Sequence, residues 1–149
     1  AQWALKNTGQ NQGTAGIDIN YLPAREVTQG SSDIIVAVLD HGTQLDHPDL
    51  NVSSKSYDTE TGRSPSQIWG NHGTACYGII SAKTNNNLGV AGIAPNCPVM
   101  SISNQLMGTS DAPQKRADGF NWAWRNGASV ISNSWRSSTF SELLEDAIQ

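Results

Sequence analysis

Cysteine is scarce in this sequence: Cys76 and Cys97 are the only two in 149 residues. Two are too few for a disulfide framework, and they lack the spacing of a metal-binding motif. They read as two buried thiols, with a mutual bridge as the alternative, because spacing alone does not decide geometry. Charge is sparse as well. Nine basic and thirteen acidic residues give a net charge of −4, with no basic run. That removes the electrostatic footprint of a nucleic-acid partner or an anionic membrane surface. No apolar stretch is long enough to span a bilayer, and the opening Ala1-Gln2-Trp3 is no signal peptide. Internal repeats and low-complexity tracts are missing, and no glycine-rich phosphate loop follows the first apolar run, which sets aside a nucleotide-binding domain of flavodoxin type.

What is present suits a folded domain: 37% hydrophobic residues, with Gly, Ser and Asn plentiful. Residues 22–29 predict a short helix closed by Gly30. Residues 34–39 form a continuous β-branched and apolar run, as expected of a parallel strand covered on both faces, and it ends at Asp40-His41-Gly42. Residues 51–70 are polar, with Gly and Pro, and predict loop or irregular strand. Asn71 is placed to cap a helix running to about Lys83. Its interior Gly73 and Gly78 cost about 1 kcal/mol each against alanine, which predicts close packing at both. A polar turn at 85–92 precedes a strand at 98–103. A helix at 111–125 stops near Asn126-Gly127, a third strand fills 129–134, and another helix starts at Ser141. This alternation predicts an α/β fold, a three-layer, mostly parallel doubly wound sheet.

In such sheets chemistry gathers at the carboxyl ends of strands. Asp40 lies at one of these ends and His72 in the first turn of the following long helix. An Asp that accepts one ring N–H of a His fixes its tautomer and leaves the other nitrogen to act as a base. The neighbouring residues sharpen this. Val36-Ala37-Val38-Leu39-Asp40-His41-Gly42, followed by Asp46-His47-Pro48-Asp49-Leu50, resembles the aspartate motif of the subtilases. Asn71-His72-Gly73-Thr74-Ala75-Cys76-Tyr77-Gly78 resembles their histidine motif. The run from Asn85-Asn86-Asn87-Leu88-Gly89-Val90 to Pro95 resembles the loop that follows, and Ser129-Val130-Ile131-Ser132-Asn133-Ser134-Trp135 the strand lining their substrate cleft. The resemblance covers nearly the whole chain.

This resemblance implies a serine endopeptidase whose triad runs Asp, His, Ser in chain order. Asp40 and His72 would be its first two members. The nucleophilic serine and the oxyanion asparagine would lie downstream of Gln149, so the chain is expected to be the N-terminal half of a catalytic domain, inactive alone. Gly108-Thr109-Ser110 copies the serine motif superficially, but its flanking residues differ and it follows His72 too soon. The 85–90 loop resembles the strong calcium loop of many subtilases. That implies a structural calcium held by Asp49, Asn86 and the carbonyls of Thr84, Leu88 and Val90, with Gln2 as a further candidate; hard oxygens in a flexible shell are what calcium prefers. The alternative is an Asn-rich turn satisfied by its own backbone. His41, His47 and His72 lack the i, i+4 spacing of a zinc-protease motif.

Gln105, with the residues up to 110, and the strand ending at Ser134-Trp135 would sandwich an extended peptide by main-chain hydrogen bonds. Trp135 would wall that cleft, or else be an ordinary core aromatic. The expected partners are a polypeptide substrate and the missing C-terminal half, with self-association through an uncovered sheet edge. The expected location is secreted or cell-surface, in a mature or trimmed form. Three positions depart from the family pattern. Ala75-Cys76 is closer to the proprotein-convertase style, with a cysteine near the histidine. His41 replaces a small or acidic residue, and Arg136 stands where glycine is usual. Arg136 and the absent serine favour a rival reading, a catalytically inactive subtilase-like binding or structural module; the intact Asp40–His72 pair opposes it.

Overall fold

The apolar run around Val38 forms β1 (Ile35–Asp40), an interior strand of a four-stranded sheet in this computed structural model, which describes residues 2–149. The other strands are β2 (Val52–Asp58), β3 (Val99–Ser103) and β4 (Ala128–Ser132). Their spatial order is β2-β3-β1-β4, and all three pairings are parallel. Four α-helices connect or flank them: α1 (Tyr21–Val27), α2 (His72–Ser81), α3 (Ala112–Arg125) and α4 (Glu142–Ile148). The mostly parallel sheet expected from the sequence is thus parallel throughout.

Side chains alternate across the two central strands, which makes the three layers. Ala37 and Leu39 of β1 join Met100 and Ile102 of β3 against Phe120 and Ala123 of α3. Val38 and Val99 face the other way, against Tyr77 of α2, Leu50 and Ala82. Burial on both faces explains why β1 is apolar up to Asp40 and why the polar residues of β3 are small serines, Ser101 and Ser103. β2 is the irregular strand allowed for in this stretch: its register against β3 shifts between Val52 and Ser56, where Ser54 and Lys55 are exposed at the outer edge of the sheet.

The crossover between β2 and β3 carries α2 on one face, whereas the crossover from β3 to β4 passes over β1 and carries α3 on the other. The chain therefore reverses direction across the sheet beside β1, and the strand ends there form the crevice typical of open α/β sheets. At that rim Asp40, Ser103 and Asp58 lie in register on three adjacent strands.

Helix boundaries differ modestly from the expected ones. α2 stops at Ser81 because Ala82 turns extended and bridges to Leu50. Asn71 does not cap α2: its backbone is already helical and its side chain makes no capping bond. Ser141 does cap α4, accepting from the Leu144 N–H. Close packing is realised at Gly73, where a Cβ would strike the Gly42 carbonyl oxygen. Gly78 is a correction, because a Cβ there would lie in ordinary contact, 3.5 Å from Val90 Cγ2.

Candidate active site

Asp40 ends β1 with no exposed surface, and His72 opens α2 with its side chain 53% exposed. Nδ1 of the imidazole lies 2.9 Å from both carboxylate oxygens. Oδ1 also accepts the His41 backbone N–H at 2.7 Å, which fixes the carboxylate against rotation. Among the described residues no oxygen or nitrogen partner is found for Nε2, and the Cys76 sulfur lies 3.9 Å from it and 3.8 Å from Nδ1. A carboxylate clamped on Nδ1 selects the tautomer whose Nε2 lone pair is free, the form that takes a proton from a nucleophile.

Several contacts hold this pair. Gly73 lets the first turn of α2 touch the Gly42 backbone, and Gly42, at positive φ, lets the turn after β1 lie against the Gln67 carbonyl, where a Cβ would clash. The segment before α2 is tied to β1 by the Trp69 N–H, which donates to the His41 carbonyl at 2.7 Å. Its indole donates to Asp58 at 2.8 Å, and that carboxylate also accepts from Ser103 Oγ and Thr61 Oγ1, each at 2.7 Å. Burial alone would raise the Asp58 carboxyl, but these hydrogen bonds outweigh it and hold it below its ordinary value. The His41 ring stands edge-on to His72, with centroids 6.2 Å apart.

Gln105, Ser134 and Trp135 follow the carboxyl ends of β3 and β4. The Gln105 N–H donates to Glu60 at 2.9 Å. Past β4, Ser134 is exposed and Trp135 is half-buried. The Trp135 indole donates to the Leu39 carbonyl at 2.8 Å and stacks on Phe120, so the ring packs against the core. Arg136 is exposed. Ser110 is exposed in the turn before α3, and no serine oxygen among the described residues is hydrogen bonded to His72. Both cysteines are free. Cys97 is buried as expected, but Cys76 is only half-buried, since it lies at the rim beside the imidazole.

Comparison with known proteins decides the family. The model of the Subtilase family matches residues 31–149. The chain belongs to the subtilase family. It is 36% identical over 146 residues to a calcium-dependent protease of Trichormus variabilis, covering 90% of this chain and 20% of that one. To the thermophilic serine proteinase of Bacillus sp. (strain AK1) it is 34% identical over 152 residues, covering 99% and 37%. The crystal structure of Aeromonas sobria serine protease in complex with a chaperone superposes with a TM-score of 0.77 at 27% identity, over 97% of this chain and 27% of that one. The subtilase chain thus spans between a fifth and two-fifths of these proteins.

For a subtilase the loop after α2 must be tested against calcium. Asp49 is 3% exposed and ion-pairs with no cation among the described residues. Its Oδ1 accepts from Asn86 Nδ2 at 2.7 Å and its Oδ2 from the Val90 N–H at 3.1 Å. The Gln2 amide pairs with the backbone of Ala91 in both directions. Gly89 has positive φ, and a Cβ there would run into the carboxylate. Asn86 and Val90 are therefore brought to the buried Asp49 carboxylate, with N–H donors facing it and the Asn86 oxygen accepting from the Leu88 N–H. The oxygen chemistry of Asp49 and Asn86 suits a hard cation once the Asn86 amide turns its oxygen inward.

Sequence reasoning missed two polar residues of this region, Asp58 and Arg116. Asp58 had no signal, because its partners come from another strand and a loop. Arg116 had one: it occupies a position on the inward stripe of α3, between Ala112 and Phe120.

Proposed function

We propose that this chain supplies the acid–base half of a serine endopeptidase. The observation that carries the reading is the buried Asp40 carboxylate with both oxygens on Nδ1 of an accessible His72 whose Nε2 is free. Asp40 orients the imidazole, and Nε2 accepts the proton of a serine hydroxyl furnished by a part of the protein outside these residues. His72 then returns that proton to the leaving amine, and water resolves the acyl-enzyme by the same base. The substrate is an extended polypeptide lying between residues 105–110 and the segment at Ser134-Trp135, bound through its main chain.

Calcium at Asp49, Asn86, Thr84, Leu88 and Val90 would supply the positive charge that the buried carboxylate lacks and so tie the loop to the turn after β1. The rest of the catalytic domain would cover the outer edge of β4. Labelling of the full-length protein with a serine-directed fluorophosphonate tests the reading. Stoichiometric labelling that His72→Ala abolishes is expected. A folded full-length protein that fails to label would establish the rival, a subtilase-fold binding module.

A further inference from the structure

α3 buries a cation where its apolar stripe should continue. Arg116 is 5% exposed and lies among Ala112, Ala117, Phe120 and Ala123. A guanidinium stays charged in proteins, so burying it without a carboxylate is unfavourable. Among the described residues none pairs with it. The acid nearest in effect, Glu60, is engaged by Lys115 at 2.7 Å and by the Gln105 N–H. Arg116 instead donates one N–H to the Met107 carbonyl at 3.1 Å, and its guanidinium lies 4.7 Å from the centroid of the Trp135 ring. Its Nε–H has no acceptor. One side chain therefore joins the 105–110 wall to the Trp135 wall and still holds an unused donor and an uncompensated charge.

We propose that Arg116 selects polypeptides carrying an acidic side chain, Asp or Glu, at the position that lies between these walls. This rests on the reading of the walls as the peptide-binding cleft. The incoming carboxylate supplies the missing counter-ion and accepts from the planar fork, a geometry that Arg offers and Lys does not. Met107, whose carbonyl holds the guanidinium, has an exposed, unbranched side chain that moves at little cost as a peptide approaches.

The test uses the full-length protein carrying His72→Ala, so that peptides bind without being cut. Anisotropy is read for labelled peptides that differ only by Glu or Gln at each position in turn. At one position Glu should bind about tenfold tighter or more, the scale of a charge-assisted hydrogen bond. R116K should keep part of that ratio, and R116M, which preserves bulk against Trp135, should bring it to about one. Peptide binding with no Glu preference at any position, or a preference that survives in R116M, overturns this proposal alone. Failure of every peptide to bind overturns the cleft reading along with it.

Discussion

A methyl group added at Gly73 and another at Gly78, both on α2, should have opposite consequences. At Gly73 it meets backbone, the Gly42 carbonyl, which cannot give way without moving the turn after Asp40. Gly73→Ala is therefore expected to destabilise the full-length protein by about 1–3 kcal/mol and to weaken catalysis through the displaced His72. Gly78→Ala meets only a Val90 methyl and gains helix propensity, a change of about 0.5–1 kcal/mol in the stabilising direction. Urea denaturation of both variants checks the signs. On the proposed mechanism, Asp40→Asn should lower kcat of the full-length protein about 10⁴-fold while leaving the fold intact, because the amide no longer selects the useful tautomer. Asp58 has a different, structural signature. Its folded carboxyl lies below its ordinary value, so the unfolded chain binds the proton more readily. The stability it contributes is complete above about pH 4 and is lost as pH falls through the folded value. Asp58→Asn should lower the urea midpoint at pH 7 and narrow the gap between pH 7 and pH 3. An unchanged gap would show that other carboxylates govern the acid limb.

Among the elements, the loop after α2 has the most to reveal. Asp49 is buried, and in this structure only amide donors face it. Adding calcium to chelator-treated full-length protein should raise Tm, and Asp49→Asn should remove most of that response; a Tm indifferent to calcium in the parent would leave the Asn-rich turn satisfied by its own backbone. The same loop shows how far sequence carried. Asp49 lies 37 residues before Asn86 and 41 before Val90 yet meets both in space, and only the resemblance joined them. β1 was legible from composition, because a strand covered on both faces must be apolar throughout. β2 was legible only as loop or irregular strand, since an outer strand with exposed Ser54 and Lys55 and a broken register has much of the composition of a loop. The Asp40–His72 pair was legible because turn glycines and a helix start mark its place. The partners of Asp58 and Arg116 were illegible, because a buried polar group is defined by what the fold brings to it and not by its neighbours in the chain.

The molecule as a whole has an unequal pair of flanks. On one side β2 carries polar residues; on the other, β4 leaves Val130 52% exposed, with Trp124, Phe140 and Ile148 exposed as well. An open parallel edge beside apolar surface invites pairing with another chain. Residues 1–149 expressed alone should therefore sediment as dimers or larger species, and a concentration-independent monomer in analytical ultracentrifugation would contradict this. Near that flank, β4 parts from β1 after Ser132, and the acceptor it vacates on Leu39 is taken by the indole of Trp135. The ring thus works as a wedge. It takes the place of the next ladder bond and stops the two strands from zipping onward. Trp135→Phe would remove the N–H but keep most of the bulk, stranding the Leu39 oxygen at about 1–3 kcal/mol, a loss that urea denaturation reads.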